Sequence, residues 1–226
     1  PEDPPMVPEP KLPPLYEPYN VLIAGVGGTG VVTVGALLGV AAHLEGKDCT
    51  VSDFTGLSQK GGAVMSHVRL AESPDSLHSV RIAPGGADLM LAYDPVVATG
   101  SEALSRLEHG VSRALVNRYV APTAGFLSQP DMDFEQARMT KRLRDLLGSE
   151  GVEFVDASHR AEALLGDAIA SNLFLLGMAY QRGLIPVGAA AIEKAITING
   201  AAVTMNRRAF GWGRVQAHDP GLIARM

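Results

Sequence analysis

The sequence predicts a mixed α/β fold, in which a mostly parallel sheet is flanked by helices and closed by a helical C-terminal segment. Short apolar runs alternate with helical stretches through the first two thirds of the chain, as in βαβ units. The runs are followed by Gly25, Asp53, Asp94, Asn117 and Asp156, residue types suited to the carboxyl edge of such a sheet, where ligands bind. Beyond residue 158 the strand pattern stops and only helical segments follow.

Composition narrows the classes of protein. A chain of 226 residues hides roughly 70% of its unfolded surface and can build one sizeable core. The formal net charge is −5 and basic residues are not clustered, which argues against nucleic-acid binding. The single cysteine, Cys49, excludes a disulfide framework and an iron–sulfur or zinc site built from this chain's own cysteines. With no apolar run of ~18 residues and no secretory or transit signal, we expect a cytoplasmic protein without membrane contact.

Three regions are predicted along the chain. Residues 1–18 carry eight prolines, which favour polyproline II, and we interpret them as a linker or strap. Residues 19–218 form the domain, with an α/β part at 19–157 and a helical part at 158–218. Residues 219–226 are predicted to begin a further linker, and the absence of an initial methionine suggests a piece of a longer polypeptide.

The first unit runs from Asn20 to Gly62. A strand over 21–24 is followed by GVGGTG at 25–30 and by a helix of small residues that ends near His43. A second strand at 49–52 ends at Asp53. Two alternating runs then follow, AVMSHVRL from Ala63 and HSVRI at 78–82, separated by a Ser-Pro-Asp-Ser turn. Together they predict a β-ribbon insertion at a position where a helix would be expected.

The remaining elements follow from apolar patterning. Buried strands are predicted at 88–93, 114–116 and 152–155. A helix opened by Asp94-Pro95 is expected to reach about residue 109, and an amphipathic helix is expected at about 134–147, after a loop at 119–133. Helical C-terminal segments are predicted at 159–165, 167–182, 188–198 and 200–218.

The glycine loop is the strongest functional signal because it lies between a strand and a helix. Gly25 is expected to make the tight turn, Gly27 to let a phosphate approach the backbone, and Gly30 to bring the helix close to the sheet. The free N–H groups at the helix start would then bind an anion. Gly28 and Thr29 complete this candidate site in a Rossmann-like arrangement. The alternative is a tight βα turn that binds nothing.

Two further features accompany the loop. Asp53 lies 23 residues after Gly30, near the ~20 expected for an acidic residue that binds ribose hydroxyls. For Asp94 and Asp156, helix N-capping explains the aspartate equally well. The segment Thr55–Gly62 offers Ser58, Gln59 and Lys60 beside Gly61 and Gly62, which suits an anion but also an ordinary surface turn.

No catalytic set or metal site stands out in the sequence. The six histidines lack metal-binding spacing, and there is no nucleophile elbow. His67 and Arg69 with His78 and Arg81 could present positive charge on one face of the predicted ribbon. A solvated edge strand guarded by charge is the simpler interpretation.

The three motifs GVGGTG, TGLSQKGGAVMSHVRL and NxxAFxxG (206–213), in this order, resemble the gamma, or ketoacid-oxidoreductase, domain of 2-oxoacid:ferredoxin oxidoreductases. The resemblance spans about residues 19–210, and the long single-chain indolepyruvate ferredoxin oxidoreductases look closest. Lys60 stands where many members of the family carry arginine, so it supplies a point charge rather than a bidentate fork.

The resemblance implies a component of a larger enzyme. Such enzymes convert a 2-oxoacid, coenzyme A and oxidised ferredoxin to acyl-CoA, CO2 and reduced ferredoxin. It implies that thiamine diphosphate, Mg and 4Fe-4S clusters are held by other domains of the same polypeptide, and that the assembly is a homo-oligomer. The coenzyme A candidates carried onto this chain are Gly27, Gly28, Thr29 and Gly30 with Ser58, Gln59, Lys60, Gly61 and Gly62; the fragment alone is expected to be inactive.

Three alternatives remain at this point. An NAD(P)-dependent dehydrogenase would use the same glycine loop with Asp53, but no proton-transfer pair accompanies it. An adenylating enzyme of the ubiquitin-activating type shares GxGGxG, yet should carry an arginine-rich segment after the second strand. A non-catalytic scaffold domain with a degenerate pocket is the third.

Overall fold

A computed structural model of the chain describes residues 2–55, 62–120 and 132–225. The strands are β1 (Tyr19–Val26), β2 (Asp48–Thr55), β3 (Ala63–Ala71), β4 (Leu89–Ala92), β5 (Arg113–Asn117) and β6 (Val152–Val155). The helices are α1 (Val31–Leu44), α2 (Pro95–Ala98), α3 (Ser101–Leu104), α4 (Met132–Leu147), α5 (Ala157–Leu165), α6 (Ser171–Gln181), α7 (Ala189–Asn199), α8 (Val203–His218) and α9 (Pro220–Ala224). Within the described ranges no helix is long and apolar enough to cross a membrane.

The sheet has six strands in the order β2-β3-β1-β4-β5-β6. Strands β1, β4, β5 and β6 are mutually parallel neighbours, and β3 is antiparallel to both β1 and β2. Because β2 and β1 both run opposite to β3, their carboxyl ends lie at the same edge of the sheet. The predicted α/β class with a mostly parallel sheet and a helical C-terminus is therefore confirmed.

The predicted β-ribbon differs from the structure in its pairing. Ala63–Ala71 is one continuous strand inside the sheet, and the segment 78–82 forms no strand. Within β3, Ser66 and Val68 are fully buried, as is His67 at 1% exposure, because layers cover both faces. The alternation of apolar and polar residues suggested solvent on one face, but the polar residues of β3 lie under other parts of the chain.

The helix predicted from Asp94 to about residue 109 is two short helices. Asp94 caps α2 by accepting hydrogen bonds from the N–H groups of Val96 and Val97 at 2.8 and 3.0 Å. Gly100 has extended backbone angles and separates α2 from α3. Residues 220–224, expected to be linker, form α9, and its Ile223 packs into the main core.

The sheet separates two apolar cores. Val21 and Ile23 belong to the larger core, which includes α1 and α5 to α8, and Leu22 belongs to the smaller one beneath α3 and α4. Close packing of α1 on the sheet depends on glycine: a Cβ on Gly35 would lie 2.5 Å from the Ser66 Oγ. This close approach brings α1 directly against β3.

The NxxAFxxG segment packs α8 against α6. Ala209 and Phe210 are fully buried, and the Asn206 side chain donates to the Ala201 carbonyl at 2.9 Å. A Cβ on Gly213 would lie 1.9 Å from the Phe174 carbonyl oxygen, and a Cβ on Gly177 would lie 2.0 Å from that of Phe210. The segment is thus explained by helix packing, since only glycine permits backbones to approach so closely.

The proline-rich N-terminal segment lies across α6 and α8. Glu9 accepts a hydrogen bond from the Tyr180 hydroxyl and pairs with Arg214 at 2.8 Å. Burial opposes a charged Glu9, but the hydrogen bonds from Tyr180 and Arg214 prevail and lower its pKa. The Trp212 indole N–H donates to the Glu2 carbonyl at 3.2 Å. The structure therefore places this segment as a strap, with Leu12 and Leu15 against the core.

Removing residues 1–11 is expected to expose Trp212, the only tryptophan of the chain, which is now 3% exposed. Its fluorescence should shift to longer wavelength, and the free energy of unfolding should fall by about 1 kcal/mol through loss of the contacts of Glu9, whose side chain is 63% exposed and therefore screened by solvent. Emission spectra and urea titration measure the two effects. An unshifted spectrum from the shortened chain would contradict the docking of the strap on α8.

Candidate functional site

The glycine loop follows β1 and leads directly into α1. Gly28 and Gly30 have φ angles of 92° and 88°, in the left-handed region that favours glycine. The loop closes on itself, since the Thr29 N–H and hydroxyl both donate to the Val26 carbonyl, at 3.1 and 2.7 Å. Gly25 must lack a side chain because a Cβ there would lie 2.6 Å from the Thr29 Oγ1. The tight turn expected at Gly25 is consistent with this contact.

The loop leaves open space where a ligand could approach. A Cβ on Gly28 would have no heavy atom within 4 Å, and one on Gly27 would meet only Val64 and Gly62 at 3.9–4.0 Å. The N–H groups of Gly28, Gly30 and Val31 have no acceptor in the described part of the chain. Free backbone donors at a helix start, beside open space, suit a phosphate or another anion.

Gly30 contacts a different element from the one expected. A Cβ on Gly30 would lie 2.1 Å from the side-chain amide nitrogen of Asn172, at the start of α6, so Gly30 admits α6 rather than the sheet. The approach of α1 to the sheet is made instead by Gly35. The prediction for Gly30 was wrong because the helical segment that follows β6 returns to the loop, which the local pattern could not show.

The described end of the second glycine segment, Gly62, contacts the glycine loop through its backbone. The Gly27 N–H donates to the Gly62 carbonyl at 3.1 Å, which joins the start of β3 to the glycine loop. Ser58, Gln59, Lys60 and Gly61 lie outside the described residues. Thr55 and Gly62, on either side of them, are both at the carboxyl edge of the sheet, because Val26 pairs with Ala63 and Thr55 pairs with Val64.

Asp53 lies in β2 at the far side of β3 from the loop. It is exposed and pairs with Ser66, which in turn pairs with Ile23 of β1. In dinucleotide-binding folds the ribose-binding acid is on the strand next to the glycine loop. Here β3 intervenes, so the structure does not bring Asp53 beside the loop in that way.

The other polar residues at this edge support the backbone. Asp156 caps α5 by accepting from the His159 N–H at 3.4 Å, so it acts as a cap, as Asp94 does. Asn117 is buried; its amide donates to the Ser158 Oγ at 2.8 Å and its carbonyl accepts from the Ala157 N–H at 3.1 Å. These contacts bind the ends of β5 and β6 to α5.

The four basic residues assigned to a ribbon face have other roles. His67 is buried, and its Nδ1 accepts from the Ile82 N–H at 3.0 Å. Arg69 donates to the Asn20 side chain and to the Ser79 carbonyl. Arg81 lies over the Phe54 ring at 3.9 Å, and His78 is exposed. Contacts of His67, Arg69 and Arg81 hold segment 78–82 against the sheet, and His78 has no such contact among the described residues. Strand β3 lies inside the sheet, so the guarded-edge interpretation was also wrong for it.

Two residues near the loop were not identified from the sequence. Asn172 is 6% exposed with its amide against Gly30, and Tyr93 lies beneath Gly25 and donates to the Asn172 carbonyl at 3.3 Å. Full burial raises the Tyr93 pKa, so its hydroxyl stays protonated. The pair Ser171-Asn172 before an apolar run was a helix-start signal, but nothing in it indicated the loop. Among the described residues no group of His, Cys, Asp and Glu could hold a metal ion.

The chain is an α/β domain whose glycine loop could bind an anion, and an antiparallel strand, β3, pairs with the strand that leads into this loop. A family model described as pyruvate ferredoxin/flavodoxin oxidoreductase matches residues 20–215. The chain belongs to this family, which confirms the resemblance drawn from the three motifs.

Known proteins are similar over most of the chain. The indolepyruvate oxidoreductase subunit IorB of Archaeoglobus fulgidus is 30% identical over 209 residues, which cover 88% of this chain and 94% of that subunit. A keto/oxoacid ferredoxin oxidoreductase gamma subunit from Geobacter sulfurreducens aligns with a TM-score of 0.61 at 22% identity, covering 88% of this chain and 98% of that one.

The same fold also occurs within a longer chain. The 2-oxoglutarate:ferredoxin oxidoreductase from Magnetococcus marinus, solved with 2-oxoglutarate, coenzyme A and succinyl-CoA bound, aligns with a TM-score of 0.63 at 16% identity. The alignment covers 89% of this chain and 31% of that one. The indolepyruvate and Geobacter relatives are separate subunits, so the expected single-chain arrangement has no support from them.

Proposed function

We propose that this chain is the gamma-type component of an indolepyruvate-class 2-oxoacid:ferredoxin oxidoreductase, and that it supplies a pocket for the phosphates of coenzyme A together with assembly contacts. The complete enzyme would convert the 2-oxoacid, coenzyme A and oxidised ferredoxin to acyl-CoA, CO2 and reduced ferredoxin. The observation that carries the pocket is the open glycine loop, with free N–H groups beside the Gly27–Gly62 contact.

The pocket proposal depends on chemistry that coenzyme A offers. Its pyrophosphate and ribose phosphate are anions, and the N–H groups of Gly28, Gly30 and Val31 are donors at the positive end of α1. The Asn172 amide beside Gly30 would add a side-chain donor. Lys60, in the segment that joins Thr55 to Gly62, would add a positive charge at the same edge.

Thiamine diphosphate, Mg and the 4Fe-4S clusters are assigned to other parts of the enzyme. One cysteine cannot bind a 4Fe-4S cluster, which requires several thiolates. We propose that thiamine diphosphate, Mg and the clusters are held by partner domains or subunits that assemble with this chain into a homo-oligomer of the complete unit, and that ferredoxin docks on the assembly. A partner in the same polypeptide and a separate partner subunit are both consistent with the relatives, which include both arrangements.

Coenzyme A should stabilise the chain, and Gly27→Ala should weaken that effect. A ligand at about 100 times its Kd stabilises by about 2.7 kcal/mol, which corresponds to a rise in melting temperature of about 5–10 °C for a chain of this size. Gly27 has no positive φ, and the space around its Cβ is open, so the Ala variant should fold normally while its methyl group obstructs the phosphate. We expect about tenfold weaker binding, measured by calorimetry.

Control variants and ligands distinguish a coenzyme A pocket from the alternative functions of the domain. In the assembled enzyme, Lys60→Ala should raise the KM for coenzyme A, whereas Lys141→Ala, which removes an exposed ion pair with Asp145 on α4, should not. If coenzyme A shifts neither the melting temperature nor the calorimetric signal, and Lys60→Ala leaves KM unchanged, the domain is a scaffold. Enhanced NADH fluorescence on mixing would instead favour a dehydrogenase, and ATP–pyrophosphate exchange an adenylating enzyme.

A further inference from the structure

A basic cavity lies at the opposite side of the sheet from β2, along the edge strand β6. It has a volume of about 440 Å³ and is lined by Arg113, Arg118, Arg144, Ser149, Glu150, Val152, Glu153, Phe154 and Arg182. Four guanidinium groups therefore meet two carboxylates there, in a chain whose formal net charge is −5. Positive charge is therefore concentrated at this edge of the sheet, although the chain as a whole carries a net negative charge.

Within the described part of the chain, one of these four arginines has a carboxylate partner. Arg182 forms a two-pronged ion pair with Glu153, with N–O distances of 2.9 and 3.0 Å. Arg113, Arg118 and Arg144 are exposed and have no carboxylate partner among the described residues. Arg144 lies instead over the ring of Phe154, 5.6 Å from its centre. Three charged groups are thus available to a partner.

The strand beneath them has an unpaired edge. Strand β6 pairs only with β5 in the described sheet. The carbonyls of Gly151 and Val155 accept hydrogen bonds from the N–H groups of Ala114 in β5 and of Arg118 directly after it, both at 2.8 Å. In a parallel ladder, bonding alternates along the strand. The N–H and C=O groups of Val152 and Phe154 therefore face away from β5, and both residues line the basic cavity.

A second cavity, of about 310 Å³, adjoins the first. It shares Arg118, Arg144 and Phe154 with it and continues to Pro95, Gln136 and Met139. The two cavities form a groove that runs from the edge strand β6, past the half-buried Phe154 ring, along α4 to Pro95 just beyond the end of β4. An extended segment could lie in this groove and meet both the backbone groups and the guanidinium groups.

We propose that this groove binds an extended acidic segment of a partner protein, which adds to β6 as a seventh strand. The backbone groups of Val152 and Phe154 would pair with the added strand, as in β-augmentation. Carboxylates on the segment would pair with Arg113, Arg118 and Arg144. A second copy of this chain is a poor occupant because its acidic N-terminus is rich in proline, which cannot donate to a ladder. The proposal is independent of the coenzyme A pocket.

Three labelled octapeptides test the proposal on the 226-residue chain by fluorescence anisotropy. The first alternates valine and glutamate, the second alternates valine and lysine, and the third is the acidic peptide with a central valine replaced by proline. We expect saturable binding of the acidic peptide that weakens with added salt, and at least about tenfold weaker binding of the other two. Equal binding of the proline peptide, or of the lysine peptide, would overturn strand addition by an acidic segment.

Variants locate the site. Arg118→Glu combined with Arg144→Glu should weaken binding of the acidic peptide by about tenfold or more. Arg207→Glu, which removes an exposed arginine paired with Glu193 on the other side of the molecule, should have no such effect. Circular dichroism and the melting temperature show whether each variant is folded. If the Arg118→Glu, Arg144→Glu variant does not fold, Arg113→Gln combined with Arg144→Gln replaces it. Unchanged binding of the acidic peptide by the folded variant would show the proposal to be wrong. So would a chain that self-associates as wild type and becomes monomeric in the Arg118→Glu, Arg144→Glu variant, because the occupant would then be a second copy.

Discussion

Gly213→Ala is expected to lower the free energy of unfolding by about 3 kcal/mol. The added Cβ would lie 1.9 Å from the Phe174 carbonyl oxygen and 3.0 Å from the Met178 nitrogen. Both atoms belong to the backbone of α6, so no side chain can rotate away and the two helices must separate. Urea unfolding followed by circular dichroism measures the loss.

Two matched variants test the cause. Gly177→Ala places its Cβ 2.0 Å from the Phe210 carbonyl on the opposite helix and should cost a similar amount. Because one separation of the helices relieves both contacts, the double variant should lose clearly less than the sum of the single variants. Gly211→Ala, also in α8, meets only the Pro4 ring of the strap and should cost less than about 1 kcal/mol. Equal losses for Gly211 and Gly213 would contradict the assignment to the crossing.

Acidification is expected to destabilise the domain through His67. Burial, with smaller contributions from Arg106 and Arg81, lowers its pKa from 6.5 to about 4. Its Nδ1 already accepts from the Ile82 N–H, so protonation would break that bond. Between pH 6.5 and 4 the unfolded chain binds a proton that the folded chain does not, so stability falls as pH falls. The loss is up to about 3 kcal/mol at 1.36 kcal/mol per pKa unit.

His67→Asn provides the non-titrating comparison. The asparagine oxygen can accept from the Ile82 N–H, but it binds no proton in this range. The difference in unfolding free energy between pH 7 and pH 4, measured in urea, should shrink by up to about 3 kcal/mol in this variant. His78→Asn, at an exposed position, should keep the wild-type pH dependence. If His67→Asn also keeps the wild-type pH dependence, the buried imidazole is not the acid-sensitive group.

Much of the fold could be predicted because the local patterns and the tertiary environment agree. The apolar runs that became β4 and β5 are buried on both faces, whereas β6, at the edge of the sheet, is only partly buried. The glycine loop lies between β1 and α1, as its flanking patterns predicted. The same patterns could not give the position of β3. An alternating strand is equally compatible with an exposed ribbon and with a strand covered by layers that the sequence brings from afar.

The candidate site was predictable only in its backbone. Gly25, Gly28 and Gly30 have close contacts or backbone conformations that favour glycine, and those leave a direct trace in the sequence. Asn172 comes from a helix far along the chain, and its approach to Gly30 has no local signature. Asp53 had the expected spacing, but spacing does not report that a reversed strand separates it from the loop.

The reversed strand β3 also bears on how the chain folds. It joins β2 over a short connection, with Thr55 opposite Val64, so these strands can form a hairpin at little loop-closure entropy. Strand β2 has no contact with β1 in the sheet order and can reach the sheet only through β3. We therefore expect the hairpin to form early and dock onto β1 as a unit, which brings the Gly62 carbonyl to the Gly27 N–H of the glycine loop in the same step.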